Sequence, residues 1–303
     1  MVLLAARQAV APSRKPLSTS LNVSGDFRHW KHCRPLWFRL PRLGRIFAIL
    51  LSLAGSPFQV RWPFDPSRVH ALLLIRDLHS TLPALVDNLL WQGIRPDHIL
   101  LIDSGSTNPC CLATLATLEQ RGSIWIRLSP ADQRYGPYAP WMSPTLQGLL
   151  RSLRYPFLVS DPDLAFPPNM PNDWLATLFR SLNAHRFVPK VAPSLITDDI
   201  TIAHREAVCA HEKALAQQGA YQVLTRLLLG QKPGAAVCTT DTTLALYRSA
   251  HFFSTFSIRL PYPYSLLHKP WYSEFCETED FQYYQSHKLK LFGEWSSLES
   301  SRP

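Results

Sequence analysis

Short apolar runs alternate with helical patterns from residue 69 onward. Continuous apolar side chains over 69–75 and 98–103 predict two buried strands. Between them, apolar residues recur at helical spacing from Thr81 to Gly93, where the glycine ends the pattern. A second helix is predicted from Cys110 to Gln120 and a third strand from Ile124 to Leu128. This alternation predicts an α/β fold with an open, mostly parallel, doubly wound sheet flanked by helices.

Acidic side chains follow two of the predicted strands. Asp103 ends the second strand, and a further strand over 155–160 runs directly into Asp161-Pro162-Asp163. In open α/β sheets, ligands bind beyond the carboxyl ends of the strands. Two carboxylates one residue apart suit Mg²⁺ or Mn²⁺, which prefer oxygen ligands and leave positions for phosphate and water. Aspartate and proline are also common in turns, so the meaning of this motif depends on its position.

The positive charge of the chain is concentrated at its N-terminus. The formal net charge is +9, but residues 1–68 contain 11 of the 31 Lys/Arg residues and only two of the 22 acidic residues. The rest of the chain is therefore neutral, and no nucleic-acid partner is expected. This difference predicts two regions, a basic, proline-containing extension over 1–60 and a folded domain over 61–303.

The extension carries aromatic residues between basic ones over 29–39, followed by nine mostly apolar residues over 46–54. This stretch is far shorter than the roughly 20 residues that a membrane-spanning helix needs. Two interpretations remain open: a helix over 28–54 that lies on an anionic membrane surface, or a helix packed on the domain.

The six cysteines include no CxxC pair, which favours reduced thiols. The predicted location is therefore the cytoplasm, with or without peripheral membrane contact.

Four segments together resemble the family 2 glycosyltransferases, which have the GT-A fold. Ile99–Thr107 resembles their second-strand signature, and Phe157–Asp163 resembles their DxD strand. Thr240–Arg248 and His268–Tyr272, the latter with the sequence HKPWY, resemble segments of a bacterial branch of these enzymes. The resemblance extends over residues 69–295.

The resemblance implies a metal-dependent glycosyltransferase of the kind used in polysaccharide biosynthesis. Such an enzyme moves a sugar from a nucleotide-diphosphate donor to a hydroxyl of a glycan, lipid or other acceptor, with inversion and with Mn²⁺ or Mg²⁺ as cofactor. The alternative is a non-catalytic domain that binds a nucleotide sugar or acts as a scaffold, anchored by its basic extension. Metal-dependent phosphoester hydrolysis is disfavoured, because a two-metal site needs more His and Asp residues than this sequence places together.

The same resemblance assigns roles to individual residues. The implied metal ligands are Asp161, Asp163 and His268. The implied nucleotide-sugar contacts are Asp103, Ser106, Arg134 and Asp161. Arg134 stands where the family has an asparagine, but its guanidinium could bind phosphate through two hydrogen bonds.

Three carboxylates are candidates for the base that takes the acceptor proton. Asp241 lies among β-forming residues and is the first choice. Glu279 and Asp280 compete with it, because Thr278-Glu279-Asp280 resembles the Glu-Asp pair that the family places near the acceptor. Acidic residues at the start of a helix are also explained by the helix dipole alone.

Overall fold

The computed structural model describes residues 61–185, 188–202, 205–217, 236–239, 243–248 and 256–287. The predicted extension over 1–60, with its membrane contact over 28–54, lies outside these residues. The strands are β1 (His70–Ile75), β2 (Ile99–Asp103), β3 (Ile124–Arg127), β4 (Phe157–Ser160), β5 (Leu164–Ala165), β6 (Lys190–Leu195), β7 (Ala236–Thr239), β8 (Ala245–Tyr247) and β9 (Phe256–His268). The helices are α1 (Leu82–Trp91), α2 (Pro109–Gln120), α3 (Pro130–Gln133), α4 (Ala139–Met142), α5 (Pro144–Ser152), α6 (Trp174–Ala184), α7 (Arg205–Gln217), α8 (Ser273–Cys276) and α9 (Glu279–His287).

The strands form a mixed sheet in the order β3-β2-β1-β4-β8-β6-β9-β5, and β7 also pairs with β9. The four strands β3, β2, β1 and β4 are mutually parallel. β8 then enters between β4 and β6 and runs antiparallel to both. The α/β prediction is therefore confirmed. The mostly parallel arrangement holds for β3, β2, β1 and β4, whereas the rest of the sheet is mixed: β6 and β9 pair in parallel, and the pairs that involve β5, β7 and β8 are antiparallel.

Helices cover both faces of the sheet. Successive side chains of a strand point to opposite faces, so Leu73 and Ile75 pack with α1, α2 and α6 in one apolar cluster. Leu72 and Leu74 pack with α4 and α5 in a second cluster on the other face. The parallel strands are consequently buried on both sides, which explains why their sequences are continuous apolar runs.

Prolines and capping side chains define where several helices begin. Asn108 accepts hydrogen bonds from the backbone N–H groups of Cys110 and Cys111 at the start of α2. Ser129 and Ser143 cap α3 and α5 in the same way. Each of these three helices has proline at its first position, where a backbone N–H would have no helical partner. The high proline content of the chain is therefore explained in part by prolines at the first position of helices.

β9 is long because it contains a bulge. Pro193 of β6 pairs with Leu260, but the next residue, Ser194, pairs with Ser265. Residues 261–264 therefore lie outside the β6 register, and two of them are prolines, which cannot donate to a strand ladder. Beyond the bulge, β9 continues to His268, which pairs with Leu164 of β5.

In the described parts of the chain, no helix has the length and apolar character needed to cross a membrane.

Two stacked histidines lie at the start of β1, at the opposite end from its carboxyl terminus. The rings of His70 and His98 are nearly parallel, with centroids 3.9 Å apart. Burial, together with the neighbouring His98, lowers the pKa of His70 to about 4. Burial also lowers the pKa of His98. Both imidazoles are therefore held in the neutral form in the folded protein.

We expect this pair to make the fold less stable in acid. In the unfolded chain both imidazoles have a pKa of about 6.5, so between pH 6.5 and 4 the unfolded state binds more protons than the folded state. The free energy of unfolding should then fall by about 1–3 kcal/mol as the pH decreases through this window. Urea unfolding at pH 7.5 and pH 5 measures the loss.

His70→Phe keeps an aromatic ring at this position but cannot be protonated, so the variant should lose less stability in acid than the wild type. His287→Gln removes an exposed histidine and serves as the control. Equal acid sensitivity of wild type and His70→Phe would contradict the prediction.

Candidate active site

Three loops meet at the carboxyl edge of the parallel strands. Asp77 follows β1, Asp103 ends β2, and Asp161-Pro162-Asp163 follows β4. β1 pairs in register with both neighbours, Ile75 opposite Asp103 and Leu73 opposite Ser160, so these loops leave the sheet side by side. The structure therefore brings the acidic residues predicted from the sequence to one edge of the sheet.

Asp103 and Ser106 lie inside the turn that follows β2. Asp103 is fully buried, and its Oδ1 accepts hydrogen bonds from the backbone N–H groups of Gly105 (3.0 Å) and Ser106 (2.6 Å). Its Oδ2 lies 3.2 Å from Nη1 of Arg127. The hydroxyl of Ser106 accepts a hydrogen bond from the backbone N–H of Asp77 (2.9 Å). Asp103 and Ser106, which were both predicted to contact the nucleotide, thus form hydrogen bonds that stabilise the turn.

Asp77 connects the β1 loop to the start of α2. Its backbone has a positive φ of 57°, and its Oδ1 accepts hydrogen bonds from the N–H groups of Thr107 (2.5 Å) and Asn108 (2.8 Å). The carboxylate is buried and occupies the place where these two N–H groups would otherwise lack partners. Asp77 therefore acts as a turn residue, which is a common role for an aspartate at the end of a strand.

Arginines flank this turn on two sides. Arg76 donates from Nη1 to the carbonyl of Ser104 (2.5 Å), and Arg127 donates from Nη2 to the carbonyl of Ser106 (2.9 Å). Neither arginine belongs to a recognisable motif, so the sequence did not indicate them. Arg134, which was predicted to contact the nucleotide sugar, is exposed and donates to the hydroxyl of Tyr135 (2.8 Å). It lies between the short helices α3 and α4.

Asp163 and His268 come together although roughly 100 residues separate them. The pairing of β5 with β9 places them side by side, and the carbonyl of Asp163 accepts a hydrogen bond from the N–H of Lys269 (2.9 Å). Oδ2 of Asp163 lies 3.5 Å from Nε2 of His268. Among the described residues, neither Oδ1 of Asp163 nor Nδ1 of His268 has a hydrogen-bond partner, and both atoms are buried.

The carboxylates of Asp163 and Asp161 favour a positive charge next to them. Burial by itself lowers the pKa of His268, but the carboxylate of Asp163, supported by Asp161, raises it by more, so the net shift is upward. Buried polar atoms without partners are rare and call for an explanation. A cation bound by Oδ1 of Asp163 would provide that explanation.

The residues present fit a cation whose coordination is completed by other groups. Within the ranges that the structure describes, no three His, Cys, Asp or Glu side chains converge as a preformed metal site. The predicted set of Asp161, Asp163 and His268 is thus not assembled as a group of three ligands. Mg²⁺ is commonly held by one or two carboxylates together with substrate phosphates and water. Asp163 with His268 matches that arrangement.

The three candidate bases occupy different positions. Asp241 lies outside the described residues. Glu279 is exposed in the first turn of α9. Asp280 is buried, and its Oδ2 accepts hydrogen bonds from the N–H groups of Ser80 (2.9 Å) and His79 (3.1 Å). Its Oδ1 lies 2.6 Å from Nδ1 of His79. His79 was not among the residues selected from the sequence, because nothing near it indicates a distant carboxylate.

The fold and this edge define an α/β protein with helices on both faces of a mixed sheet and an acidic site at the carboxyl ends of its parallel strands. No protein-family model and no curated protein sequence matches the chain. Among solved structures, the chain is similar to the mannosyltransferase PcManGT from Pyrobaculum calidifontis, determined in complex with GDP-Man and Mn²⁺. The two share 14% sequence identity with a TM-score of 0.39, and the match covers 78% of this chain and 67% of that chain.

Proposed function

We propose that this protein is a metal-dependent glycosyltransferase. It would move a sugar from a nucleotide-diphosphate donor to a hydroxyl of a glycan or lipid acceptor, with inversion at the transferred sugar. The observation that carries the proposal is the buried, unpartnered Oδ1 of Asp163 next to His268. This atom lies at the carboxyl edge of the parallel strands, where open α/β sheets bind their ligands.

Asp163 and His268 would hold the divalent cation, with Asp161 adding negative charge beside them. When bound, Mn²⁺ or Mg²⁺ would supply Lewis-acid stabilisation to the diphosphate leaving group. A site with only two protein ligands leaves coordination positions for the donor phosphates. The proposal therefore predicts that metal and donor bind together.

The donor would lie over the turn after β2. In this proposal Asp103 and Ser106 shape the turn that receives the nucleotide, and the exposed guanidinium of Arg134 would contact phosphate. Transfer also requires a group that takes the acceptor proton. Asp241, Glu279 and Asp280 are the carboxylates that the sequence offers for this role.

Donor binding should depend on both the cation and Asp163. We expect one of UDP-, GDP- or dTDP-sugars to bind in calorimetry with Mn²⁺, and at least tenfold more weakly without it. Asp163→Asn keeps the shape of the side chain but removes its charge, and should weaken binding to a similar extent. Asp87→Asn removes an exposed carboxylate of α1 and should leave binding unchanged.

The calorimetric measurements distinguish a metal-dependent transferase from a non-catalytic domain. Donor binding that ignores both Mn²⁺ and Asp163→Asn would favour a non-catalytic nucleotide-sugar-binding domain. If none of the nucleotide sugars binds, the transferase proposal is wrong.

A further inference from the structure

His79 and Asp280 form a close pair across the candidate active site. Nδ1 of His79 lies 2.6 Å from Oδ1 of Asp280. The His79 side chain is 19% exposed, whereas that of Asp280 is only 6% exposed. Among the described residues, Nδ1 of His79 is buried and makes no hydrogen bond, so its contact with Asp280 is a close approach and not a formed hydrogen bond. One side of the imidazole therefore lies against a buried carboxylate.

Most of the carboxylate of Asp280 is already occupied by neighbouring groups. Its two oxygens accept hydrogen bonds from the backbone N–H groups of His79 and Ser80, and Oδ1 also lies close to the imidazole of His79. A carboxylate offers about four lone-pair sites, and this one is almost enclosed. Such a carboxylate is suited to orient an imidazole and to stabilise its protonated form.

The pair lies beside the proposed metal site. The hydroxyl of Thr81, two residues after His79, donates a hydrogen bond to the carbonyl of Pro162, which separates Asp161 from Asp163. On the other side, Leu78 packs in an apolar cluster with Phe275 of α8 and Phe281 of α9. The loop that carries His79 is therefore fixed both to the acidic turn after β4 and to the helices that carry Asp280.

We propose that His79 is the catalytic base of the transfer and that Asp280 is its positioning residue. This inference rests on the function proposed above and concerns the same site. It gives Asp280 a different role from direct proton abstraction, and it requires no contribution from Glu279, which is exposed and one residue away.

The oxygen of the acceptor hydroxyl forms a bond to the anomeric carbon while the bond from that carbon to the phosphate oxygen breaks. The electron pair of the broken bond stays on the phosphate oxygen, and the nucleoside diphosphate leaves. The hydroxyl proton passes to Nε2 of His79, and the resulting imidazolium is stabilised by the carboxylate of Asp280.

The state of the imidazole can be tested without any substrate. Ring ¹⁵N chemical shifts of the full chain, recorded at a pH where the imidazole of His79 is neutral, should show its proton on Nδ1, facing Asp280. In Asp280→Asn the amide can donate to Nδ1, so the proton should move to Nε2. A tautomer that does not respond to Asp280→Asn would overturn the positioning role.

Activity tests the proton transfer itself. Nucleoside diphosphate release is followed with Mn²⁺, the nucleotide sugar that binds in calorimetry, and a simple alkyl glycoside as acceptor. His79→Gln should lower turnover by about 10²-fold or more and leave donor affinity within about twofold of wild type. In His79→Ala, added imidazole should restore turnover at least about tenfold, which a purely structural role would not allow. Asp280→Asn should lower turnover because it leaves Nε2 protonated.

Control variants are His185→Gln and Glu277→Gln, which change a histidine and an acidic residue elsewhere in the described chain and should retain full turnover. The inference is wrong if His79→Gln retains turnover within about threefold of wild type. If only Asp280→Asn is inactive, Asp280 takes the proton directly, and this inference fails while the transferase proposal stands. If the wild type binds no nucleotide sugar, both fail together.

Discussion

Replacing Trp174 by alanine should lower the free energy of unfolding by about 3–5 kcal/mol. Trp174 is 1% exposed and belongs to the apolar cluster formed by α1, α2 and α6. Its ring packs against Phe166, with centroids 5.2 Å apart, and its Nε1 donates to Oδ1 of Asn88 (2.9 Å). Alanine would leave a cavity and remove the partner of a half-buried amide. Urea unfolding of the two proteins measures the difference.

Trp91 provides a matched control for this substitution. It is 74% exposed at the end of α1, so Trp91→Ala makes the same chemical change without a cavity and should alter stability by no more than about 0.5 kcal/mol. Similar losses for both variants would contradict the packing argument. Phe166 directly follows β5, so Trp174→Ala should also weaken metal-dependent donor binding.

Replacing Asp77 by alanine should cost at least about 4 kcal/mol of stability. The substitution removes the shared acceptor of the Thr107 and Asn108 N–H groups and leaves both of them near the protein interior. Hydrogen bonds to a charged group contribute about 1.5–3 kcal/mol each. Alanine is also disfavoured by the positive φ of 57° at this position.

Three substitutions at Asp77 separate these contributions. Asp77→Gly loses the acceptor but tolerates the backbone conformation, so it should be about 1 kcal/mol more stable than Asp77→Ala. Asp77→Asn keeps an acceptor oxygen and tolerates a positive φ, and should cost the least. In thermal or urea unfolding, the Asn variant should be the most stable of the three, the Gly variant intermediate and the Ala variant the least stable. If the Gly and Ala variants unfold at the same denaturant concentration, the backbone contribution is absent.

The first half of the fold was predictable because burial on both faces produces continuous apolar strands. The predictions over 69–75, 98–103 and 124–128 agree with β1, β2 and β3 to within one residue at each end. α1 and α2 also begin and end close to the predicted positions, since capping residues and Gly93 define those boundaries locally. In this region, local sequence and tertiary structure favour the same conformation.

The second half was less predictable because long-range pairing determines it. Pro261 and Pro263 look like strand breakers, yet β9 passes through them by way of its bulge. The antiparallel position of β8 between β4 and β6 has no local signal either, because a three-residue strand carries no information about its neighbours. Strand order in this half depends on packing between distant segments.

The site shows the same division. Asp103 and Asp163 could be selected as candidates because Asp103 ends an apolar strand and Asp163 belongs to the Asp-Pro-Asp turn after another. His79 was missed, since its partner Asp280 is 201 residues away in the chain. Arg76 and Arg127 were missed as well, because their hydrogen bonds go to backbone carbonyls, which any sequence supplies.

The pairing of β5 with β9 has a consequence for how the protein is made. The ribosome adds about 5–20 residues per second, so roughly 5–20 s pass between the synthesis of Asp163 and that of His268. During this time β1 to β4 are already available to pair, while the acidic turn after β4 still lacks the strand that completes it. A nascent chain arrested before β9 should therefore contain the parallel strands but bind no Mn²⁺ at Asp163.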